Sequence, residues 1–391
     1  MRVCFVSFEY PPNILGGAGT YAEAIVDGLR RRGVDVFVIS RGDRNTCDKN
    51  TFRVPTSNVP YWRRLFFMKP AMSLLGKLNK LWKFDLVHFN EPHVILKKPN
   101  LPTVCTIHST QVNEIKLKRL HSKTLKTATD IRDLILKGSV GSVFDVLTAH
   151  STDKIISPSP HLARLIKSYC LVNKHKIHVI PNGIDLEAFD MVKDYDADFL
   201  NKYDLERDKY VLFIGRLSVL KGVQYLIKAF STIKKEYSKI KLVIVGRGDF
   251  QDYLRNLAQG IDDVVFTGYV DSLADRKLIY ENCVAVAVPS LYEGLPMVVL
   301  EAMACRKAVI ASDVGGIPLL IRHGKNGFLA KPGNPESLEK FIRRLLEDPN
   351  LRKNMGCFGR KLVEEEFTVD KMVSKTIRVY KSLTYARERC A

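Results

Sequence analysis

Apolar positions along the chain fall into two patterns: short runs rich in Val, Ile and Phe, and longer stretches with helical spacing. Short unbroken runs are typical of strands buried on both faces, and their alternation with amphipathic helices indicates parallel α/β sheets. The pattern predicts six strands in the first half, at 2–8, 35–40, 85–89, 103–108, 154–157 and 177–181. It predicts six more in the second half, at 210–215, 241–246, 264–268, 285–289, 308–312 and 327–330.

The length and the break between these two series predict two domains. A chain of 391 residues exceeds the roughly 250–300 residues that one hydrophobic core can hold. We predict a first domain at 1–185, a hinge at 186–207, a second domain at 208–366 and a final amphipathic helix within 367–391. Each domain is expected to be a doubly wound, Rossmann-like α/β sheet facing a shared cleft, because such sheets bind ligands at the carboxyl ends of their strands.

The charge of the chain is concentrated in its first half. The net charge is +19, of which residues 1–185 carry +14 and residues 51–127 alone carry +11. A local field of this kind indicates an anionic partner, either nucleic acid, an acidic membrane surface or a phosphorylated substrate. Hydrophobic residues make up 46% and charged residues 26%, which excludes a disordered, collagen-like or coiled-coil chain.

The cysteines and the apolar runs indicate the compartment. The eight cysteines are scattered and form no C-x-x-C pair, so neither a zinc site nor a disulfide framework is expected. No uncharged apolar run reaches the roughly 18 residues that a spanning helix needs. These features predict a cytoplasmic protein.

In each domain a glycine-containing turn follows the first predicted strand. Gly16 and Gly17 precede a predicted helix, where backbone N–H groups can approach an anion, although tight packing at a turn explains them equally well. In the second domain Arg216 and Lys221 follow a strand and precede Gly222. Two cations at the carboxyl edge of a sheet suit a diphosphate, whereas the alternative is a pair of solvated surface charges.

The most specific segment is 289–304, PSLYEGLPMVVLEAMA. Pro296 suits the start of a helix, which puts Glu293 in the preceding loop and Glu301 inside the helix. Backbone N–H groups without helical partners are then expected at the helix start, in the stretch of Leu295, Pro296, Met297 and Val298, where Pro296 itself has no N–H. A carboxylate in so apolar a helix needs a partner, either a vicinal diol of a ligand or a buried arginine.

This segment resembles the E-x(7)-E motif of the family-four retaining glycosyltransferases, the glycosyl transferases group 1. Seven further segments match the pattern of that family in the expected order across both domains: 16–19 (GGAG), 85–88 (DLVH), 106–108 (TIH), 181–185 (PNGID), 215–222 (GRLSVLKG), 312–318 (SDVGGIP) and 326–329 (NGFL).

The resemblance implies the glycosyltransferase B fold, an acceptor-side first domain, a second domain that binds a nucleotide-sugar, and a final helix that crosses back to the first domain. It implies that Glu301 binds ribose, that Glu293 binds the donor sugar, and that Arg216 and Lys221 neutralise the diphosphate with help from Gly17. It also implies a reacting centre at His108, retention of configuration, and neither metal nor cofactor. Ser109 follows His108 where the family often has an acidic residue.

The segment 59–84 combines basic and aromatic residues. It contains Trp62, Arg63, Arg64, Phe66, Phe67, Lys77, Lys80 and Trp82. A helix of this composition is typical of a membrane-surface element, while the alternative is a packed helix with a solvated basic face. The local charge excess favours contact with an anionic membrane, so we expect a peripheral protein on the inner face of the cell membrane.

These observations together predict a retaining hexosyltransferase that uses a UDP- or GDP-sugar and a membrane-associated or anionic glycan or lipid precursor. The alternative within the class is a soluble sugar or sugar-phosphate acceptor, as in sucrose-phosphate or glycogen synthase-like enzymes. Outside the class stand a nucleic-acid-binding protein and a nucleotide-sugar-binding protein without catalysis. No nucleic-acid partner is expected, because two carboxylates in a cleft do not suit one.

Overall fold

A computed structural model of the protein describes residues 1–14, 16–56, 63–92, 94–95, 97–112, 114, 117, 140–192 and 197–388. The chain forms two compact units. Among the described residues, the first comprises those within Met1–Lys116, Leu125–Gly183 and Val369–Ala391, and the second comprises those within Leu117–Thr124 and Ile184–Thr368. In the part of the chain that is described, none of the helices combines the length and the apolar character needed to cross a lipid bilayer.

The strands and helices alternate along most of the chain. The strands are β1 (Arg2–Ser7), β2 (Asp35–Gly42), β3 (Thr46–Asp48), β4 (Thr51–Pro55), β5 (Leu86–Asn90), β6 (Thr103–Thr106), β7 (Lys154–Ser157), β8 (Ile177–Val179), β9 (Tyr210–Ile214), β10 (Lys241–Val245), β11 (Val264–Gly268), β12 (Ala285–Val288), β13 (Val309–Ser312) and β14 (Gly327–Ala330). The helices are α1 (Gly17–Arg31), α2 (Arg63–Trp82), α3 (Pro160–Cys170), α4 (Leu186–Met191), α5 (Ala197–Lys202), α6 (Val223–Glu236), α7 (Gln251–Leu257), α8 (Leu273–Asn282), α9 (Met297–Ala304), α10 (Ile317–Leu320), α11 (Pro335–Glu347), α12 (Pro349–Glu366) and α13 (Val369–Glu388). Residues 140–150 are also helical.

The first unit is built on a sheet of eight strands in the order β3-β4-β2-β1-β5-β6-β7-β8. All neighbours pair in parallel except β3 and β4. The strands that follow β1 are added first on one side of it (β2 to β4) and then on the other (β5 to β8). This reversal of strand order creates a switch point at the carboxyl ends of β1 and β5.

The second unit has a sheet of six parallel strands in the order β11-β10-β9-β12-β13-β14. Its central strands are buried on both faces, as their unbroken apolar sequences predict. The switch point lies between β9 and β12. Two doubly wound parallel α/β units confirm the predicted fold class.

The predicted strands all occur, with ends that differ by at most two residues, but the hairpin of β3 and β4 was not predicted. Thr46–Asp48 is exposed along its whole length, so it has no hydrophobic pattern. The turn at Lys49 and Asn50 has positive φ at both residues, which is the geometry that joins two antiparallel strands tightly. The hairpin adds to the edge of β2 through β4.

The predicted hinge, 186–207, contains the short helices α4 and α5. Phe189 is buried in the apolar core of the second unit, and Leu186, Phe199 and Leu200 pack against that core. Arg360 of α12 binds Asp190 through both terminal guanidinium nitrogens, at 2.9 and 2.6 Å. The described part of this stretch thus belongs to the second unit, and its role as a hinge stays a prediction.

The final helix, α13, packs in the core of the first unit. Gly28 of α1 lies against it, and a Cβ atom there would be 2.5 Å from Val373. Tyr380 is fully buried, and its hydroxyl lies 2.5 Å from Nδ1 of His88 on β5. Nε2 of His88 lies 2.8 Å from Oγ1 of Thr106. Burial lowers the pKa of His88 to about 3, so the ring is neutral and uses one nitrogen as a donor and the other as an acceptor.

We expect Tyr380→Phe to lower the free energy of unfolding of the first unit by about 1–3 kcal/mol, because Nδ1 of His88 then lacks its hydrogen-bond partner. Urea unfolding followed by circular dichroism measures the change. Tyr253→Phe is the control, since Tyr253 is 37% exposed and its loss of a hydroxyl should cost little. Equal stability of Tyr380→Phe and the control would contradict the importance of this contact.

Candidate active site

The centre of the candidate site is an ion pair at the switch point of the second unit. Lys221 follows β9 at the end of a 3₁₀ turn, Val219–Lys221, and Glu293 lies in the loop that follows β12. Nζ of Lys221 is 2.6 Å from Oε1 of Glu293. The same oxygen accepts a hydrogen bond of 2.7 Å from Oγ of Ser290. The structure thus brings together two residues that the sequence predicted for one site.

Close backbone contacts fix the two loops that carry this pair. Gly222 has φ +68°, and a Cβ atom there would lie 1.9 Å from the carbonyl oxygen of Pro289. The N–H of Leu291 donates to the carbonyl oxygen of Leu220 at 2.7 Å. Any side chain at Gly222 would therefore be both strained and in collision with the next loop. Lys221 is positioned by the backbone as well as by its charge.

A third loop supports Glu293 from the other side. Gly315, after β13, has φ +57°, and a Cβ atom there would lie 1.8 Å from the carbonyl oxygen of Glu293. The N–H of Gly316 donates to that same oxygen at 3.2 Å. The segment 312–318, matched to the family pattern by sequence, therefore serves as backbone support for the Glu293 loop.

Glu301 is buried in α9 and has a tyrosine as its partner. Its exposed fraction is 7%, and its Oε2 accepts a hydrogen bond of 2.8 Å from the hydroxyl of Tyr280. Burial and the nearby carboxylate raise the pKa of Tyr280 well above its usual value, so this hydroxyl remains a donor. In the described part of the chain the carboxylate is therefore partnered by a tyrosine rather than by the buried arginine considered from the sequence.

The start of α9 presents main chain rather than side chains. Pro296 is the residue that precedes the helix, and no side chain caps the first N–H groups. Leu295 and Met297 are buried in the core of the unit, and Val298 is half-buried. The contribution of these residues to ligand binding would therefore come from their backbone.

Arg216 lies one position beyond Gly215 after β9, and its side chain is exposed. The structure places it on the same connection as Lys221, at the carboxyl edge of the sheet, and its role toward a diphosphate stays a prediction. Ser290 and Tyr280 were missed by the sequence analysis. Ser290 lies three residues before Glu293, so its proximity to that residue could have been predicted from the sequence. Tyr280 lies on a separate helix, and no sequence pattern connects it with Glu301.

The glycine-rich turn of the first unit begins α1. Gly16 is the N-cap of the helix, and the helix start has no side-chain cap. A Cβ atom at Gly16 would meet nothing within 4 Å, whereas at Gly19 it would lie 2.9 Å from Ile14. Tight packing therefore explains Gly19 but not Gly16. Gly17 is the first residue of the helix, where backbone N–H groups lack helical partners.

His108 lies in the loop after β6, two residues beyond its end, and is half-buried. Its Nε2 is 2.9 Å from Oδ1 of Asn90, and its ring packs edge-to-face on Tyr21 with centroids 4.6 Å apart. Asn90 ends β5 and is 3% exposed. His108 is therefore fixed at the carboxyl edge of the first sheet, beside the switch point.

The basic and aromatic segment forms α2, and one face of this helix is exposed. We call this the α2 face: Phe66, Lys69, Lys77, Lys80 and Leu81. Phe66, Leu81 and Trp82 are 49%, 75% and 41% exposed. Trp82 lies on the packed side at the end of the helix, where its ring contacts Phe37 of the core with centroids 4.9 Å apart.

Phe67 corrects the predicted surface patch. It is 1% exposed and packs edge-to-face on Phe8 in the core of the first unit, with centroids 5.5 Å apart. It therefore stabilises the fold and is unavailable for membrane contact. Trp62 lies outside the described residues. Arg63 and Arg64 begin α2, and their side chains lie outside the described part of the structure.

Comparisons with known families cover both units. The family described as Glycosyltransferase Family 4 matches residues 15–188, and the family described as Glycosyl transferases group 1 matches residues 197–362. The chain is 31% identical to an uncharacterized glycosyltransferase of Methanocaldococcus jannaschii, over 97% of this chain and 98% of that protein. It is 26% identical to a glycogen synthase of Mycobacterium tuberculosis, over 97% of this chain and 94% of that protein.

Solved structures agree on the fold. Sucrose-phosphate synthase from Thermosynechococcus elongatus superimposes with a TM-score of 0.77 at 21% identity, over 99% of this chain and all of that one. HepE of Anabaena, solved in complex with UDP-glucose, gives a TM-score of 0.69 at 21% identity, over 98% of this chain and all of that one. The predicted family and fold are confirmed, and the chain belongs to the family-four, group 1 glycosyltransferases and is a glycosyltransferase of the B fold.

Proposed function

We propose that the protein is a retaining, metal-independent hexosyltransferase that uses a nucleotide-diphosphate sugar, UDP- or GDP-linked, and an acceptor at an anionic membrane surface. The observation that carries the donor part is the Lys221–Glu293 pair with Ser290, at the switch point of a doubly wound sheet. Ligands of such sheets bind at this edge. The complex of HepE with UDP-glucose supports a nucleotide-sugar donor.

Glu301 and Glu293 would bind the two ends of the donor. Tyr280 occupies Oε2 of Glu301, so Oε1 can accept from a ribose hydroxyl while Tyr280 keeps the carboxylate in place. Glu293 is 9% exposed and paired with a cation and a hydroxyl. Its acceptor capacity exceeds these two contacts, because an ionised carboxylate has about four lone-pair sites, and a sugar hydroxyl can use the remainder.

The proposed chemistry breaks the bond between the anomeric carbon and the β-phosphate oxygen. Negative charge grows on the departing diphosphate, and positive charge grows on the sugar ring. Lys221 and Arg216, with the N–H of Gly17, would stabilise the diphosphate, and Lys221 is already held by Glu293 before the donor arrives. Preorganised charge of this kind stabilises a transition state without reorganisation.

The acceptor hydroxyl would attack from the same face as the leaving group, so configuration is retained. Its proton would pass to the leaving phosphate oxygen, which becomes more basic as the bond breaks. His108 would lie at the reacting centre. The amides at the start of α9 would contact the sugar, because that helix start has no side-chain cap.

The acceptor part of the proposal is supported by the α2 face. Its three lysines are exposed on one side of the helix, with Phe66 at one end and Leu81 at the other. Aromatic and aliphatic side chains at the ends of a basic stripe suit insertion at the headgroup boundary of an anionic leaflet. We propose a peripheral protein of the cytoplasmic membrane surface with a lipid-linked or anionic glycan acceptor.

The alternative is a soluble sugar or sugar-phosphate acceptor. The similarity to a glycogen synthase over 97% of the chain favours it, as does the likeness in fold to sucrose-phosphate synthase. In that case the basic charge of the first unit would serve a phosphorylated acceptor. Binding to vesicles separates the two proposals.

Glu301→Gln should weaken binding of UDP or GDP by about 1–3 kcal/mol, because an amide group replaces an acceptor that faces a ribose hydroxyl. Isothermal titration calorimetry measures this, and thermal unfolding shows that the variant is folded. Glu206→Gln, an exposed residue, is the matched control. Unchanged affinity in folded Glu301→Gln would remove the ribose assignment.

Lys221→Ala should lower kcat more than it raises KM, because the charge of the leaving diphosphate grows in the transition state. Donor hydrolysis and transfer to acceptor are both measured. Lys221→Arg keeps the charge beside Glu293 and should retain more activity, and Lys228→Ala on the exposed side of α6 should be neutral. A change in KM alone would make Lys221 a binding residue only.

Excess EDTA should leave donor turnover unchanged, because protein cations rather than a metal are proposed to neutralise the diphosphate. Turnover is measured before and after chelation and again after addition of Mg²⁺ or Mn²⁺. Loss of activity that a divalent cation restores would overturn the metal-independent mechanism.

The protein should cosediment with anionic liposomes at low salt, much less with neutral ones, and should be released by high salt. Replacing Arg63, Arg64, Lys77 and Lys80 with Ser should weaken this binding by about 4 kcal/mol, at about 1 kcal/mol per charge. The control replaces four exposed lysines of the second unit, Lys228, Lys235, Lys239 and Lys325, which removes the same charge. Equal loss in both variants, or no binding by the wild type, would favour the soluble acceptor.

A further inference from the structure

Asn90 lies at the switch point of the first unit, at the end of β5, which runs between β1 and β6. It pairs in register with Ser7 on β1 and with Thr106 on β6. Its amide nitrogen lies 3.0 Å from Oγ of Ser7 and 3.0 Å from the carbonyl oxygen of Ala18, in the first turn of α1. Its amide oxygen lies 2.9 Å from Nε2 of His108. One buried side chain therefore joins the glycine-rich turn to the histidine loop.

The direction of each hydrogen bond in this group follows from the chemistry of its members. The carbonyl oxygen of Ala18 can only accept, so the atom of Asn90 that faces it is the NH₂ group. The hydroxyl of Ser7 donates its proton to the carbonyl oxygen of Glu9 at 2.6 Å, so its Oγ accepts from the same NH₂ group. Both protons of the amide are thus used, and its oxygen is left to accept.

An accepting oxygen at 2.9 Å from Nε2 requires a proton on that nitrogen. In neutral His108 the other nitrogen, Nδ1, then carries the lone pair. We infer that Asn90 is a positioning residue that holds His108 as the Nε2–H tautomer and so makes Nδ1 the accepting nitrogen of the neutral ring. This inference rests on the proposed function only in placing His108 at the reacting centre.

The tautomer limits what His108 can bind. A lone pair on Nδ1 accepts a hydrogen bond, so the neutral ring suits a hydroxyl of the sugar or the acceptor and not a phosphate oxygen, which is itself an acceptor. Asn90 thereby separates the roles of neighbouring groups: backbone N–H groups near Gly17 suit anionic oxygens, while His108 suits a hydroxyl. The same amide bonds Ala18, so both are held in a fixed relation within the first unit.

The test uses NMR of the full-length protein labelled with ¹⁵N in its nine histidine rings, with His108→Gln to assign the signal. In the wild type we expect a protected Nε2–H signal for His108 and a Nδ1 shift typical of an unprotonated nitrogen. Asn90→Leu, which keeps the branching of the side chain but has no acceptor, should lose the protection. Ser7→Ala, in which Ala18 still orients the amide, should retain it.

Kinetics supply the second readout. Asn90→Leu should lower kcat for transfer by roughly ten- to a hundredfold, as expected for a displaced group at a reacting centre, with a much smaller change in KM for the donor. Ser7→Ala should keep most of the wild-type kcat. If Asn90 served only folding, folded Asn90→Leu would keep the wild-type kcat and the protected Nε2–H signal, which the inference does not allow.

Several results would overturn the inference. They are a wild-type His108 protonated on Nδ1, a protected Nε2–H signal that persists in Asn90→Leu, or equal kcat in wild type and Asn90→Leu. The NMR measurement needs no substrate, so it remains decisive if no donor sugar is turned over. Failure of the proposed function and failure of this inference are therefore distinguishable.

Discussion

The ion pair between Lys221 and Glu293 is the contact on which the candidate site depends. A nearly buried carboxylate is costly unless charge and hydrogen bonds compensate it, and here Lys221 and Ser290 bind the same oxygen. The pair can form only because Gly222 and Gly315 let three loops approach at backbone distance. Charge, hydrogen bonding and steric fit therefore all act on the same few atoms, at the point where the strand order of the second sheet reverses.

In each unit, loops and strand ends are joined at the switch point of the sheet, but the side chains that join them differ in charge. In the second unit the loops after β9 and β12 meet through an ion pair, whereas in the first unit the ends of β1, β5 and β6 meet through the neutral amide of Asn90. Beneath that amide, His88, Thr106 and Tyr380 form a buried polar group that ties α13 to the sheet. A charged site suits a diphosphate, and a neutral one with fixed donors and acceptors suits hydroxyl groups.

The aromatic residues of α2 belong to one sequence segment but differ in burial. Phe66 and Phe67 are neighbours in a basic segment, yet a helix turns them to different sides. Phe67 packs on Phe8 in the core, while Phe66 remains on the exposed face with the lysines. The composition of the segment had predicted that both residues contact a membrane surface. The exposed face that the structure describes carries Lys69, Lys77 and Lys80 on one side of the helix.

The sequence by itself determined the two parallel α/β units, the positions of twelve strands along the chain and the loop positions of Lys221 and Glu293, because buried strands and their following turns leave local patterns. The hairpin of β3 and β4 was missed, because β3 is exposed along its whole length and β4 is short and only partly buried. Only the tertiary structure decided that Tyr280 partners Glu301, that Ser290 and Lys221 share one oxygen of Glu293, and that Asn90 orients His108. These contacts join side chains far apart in the chain or depend on rotamers, and neither spacing nor composition specifies them.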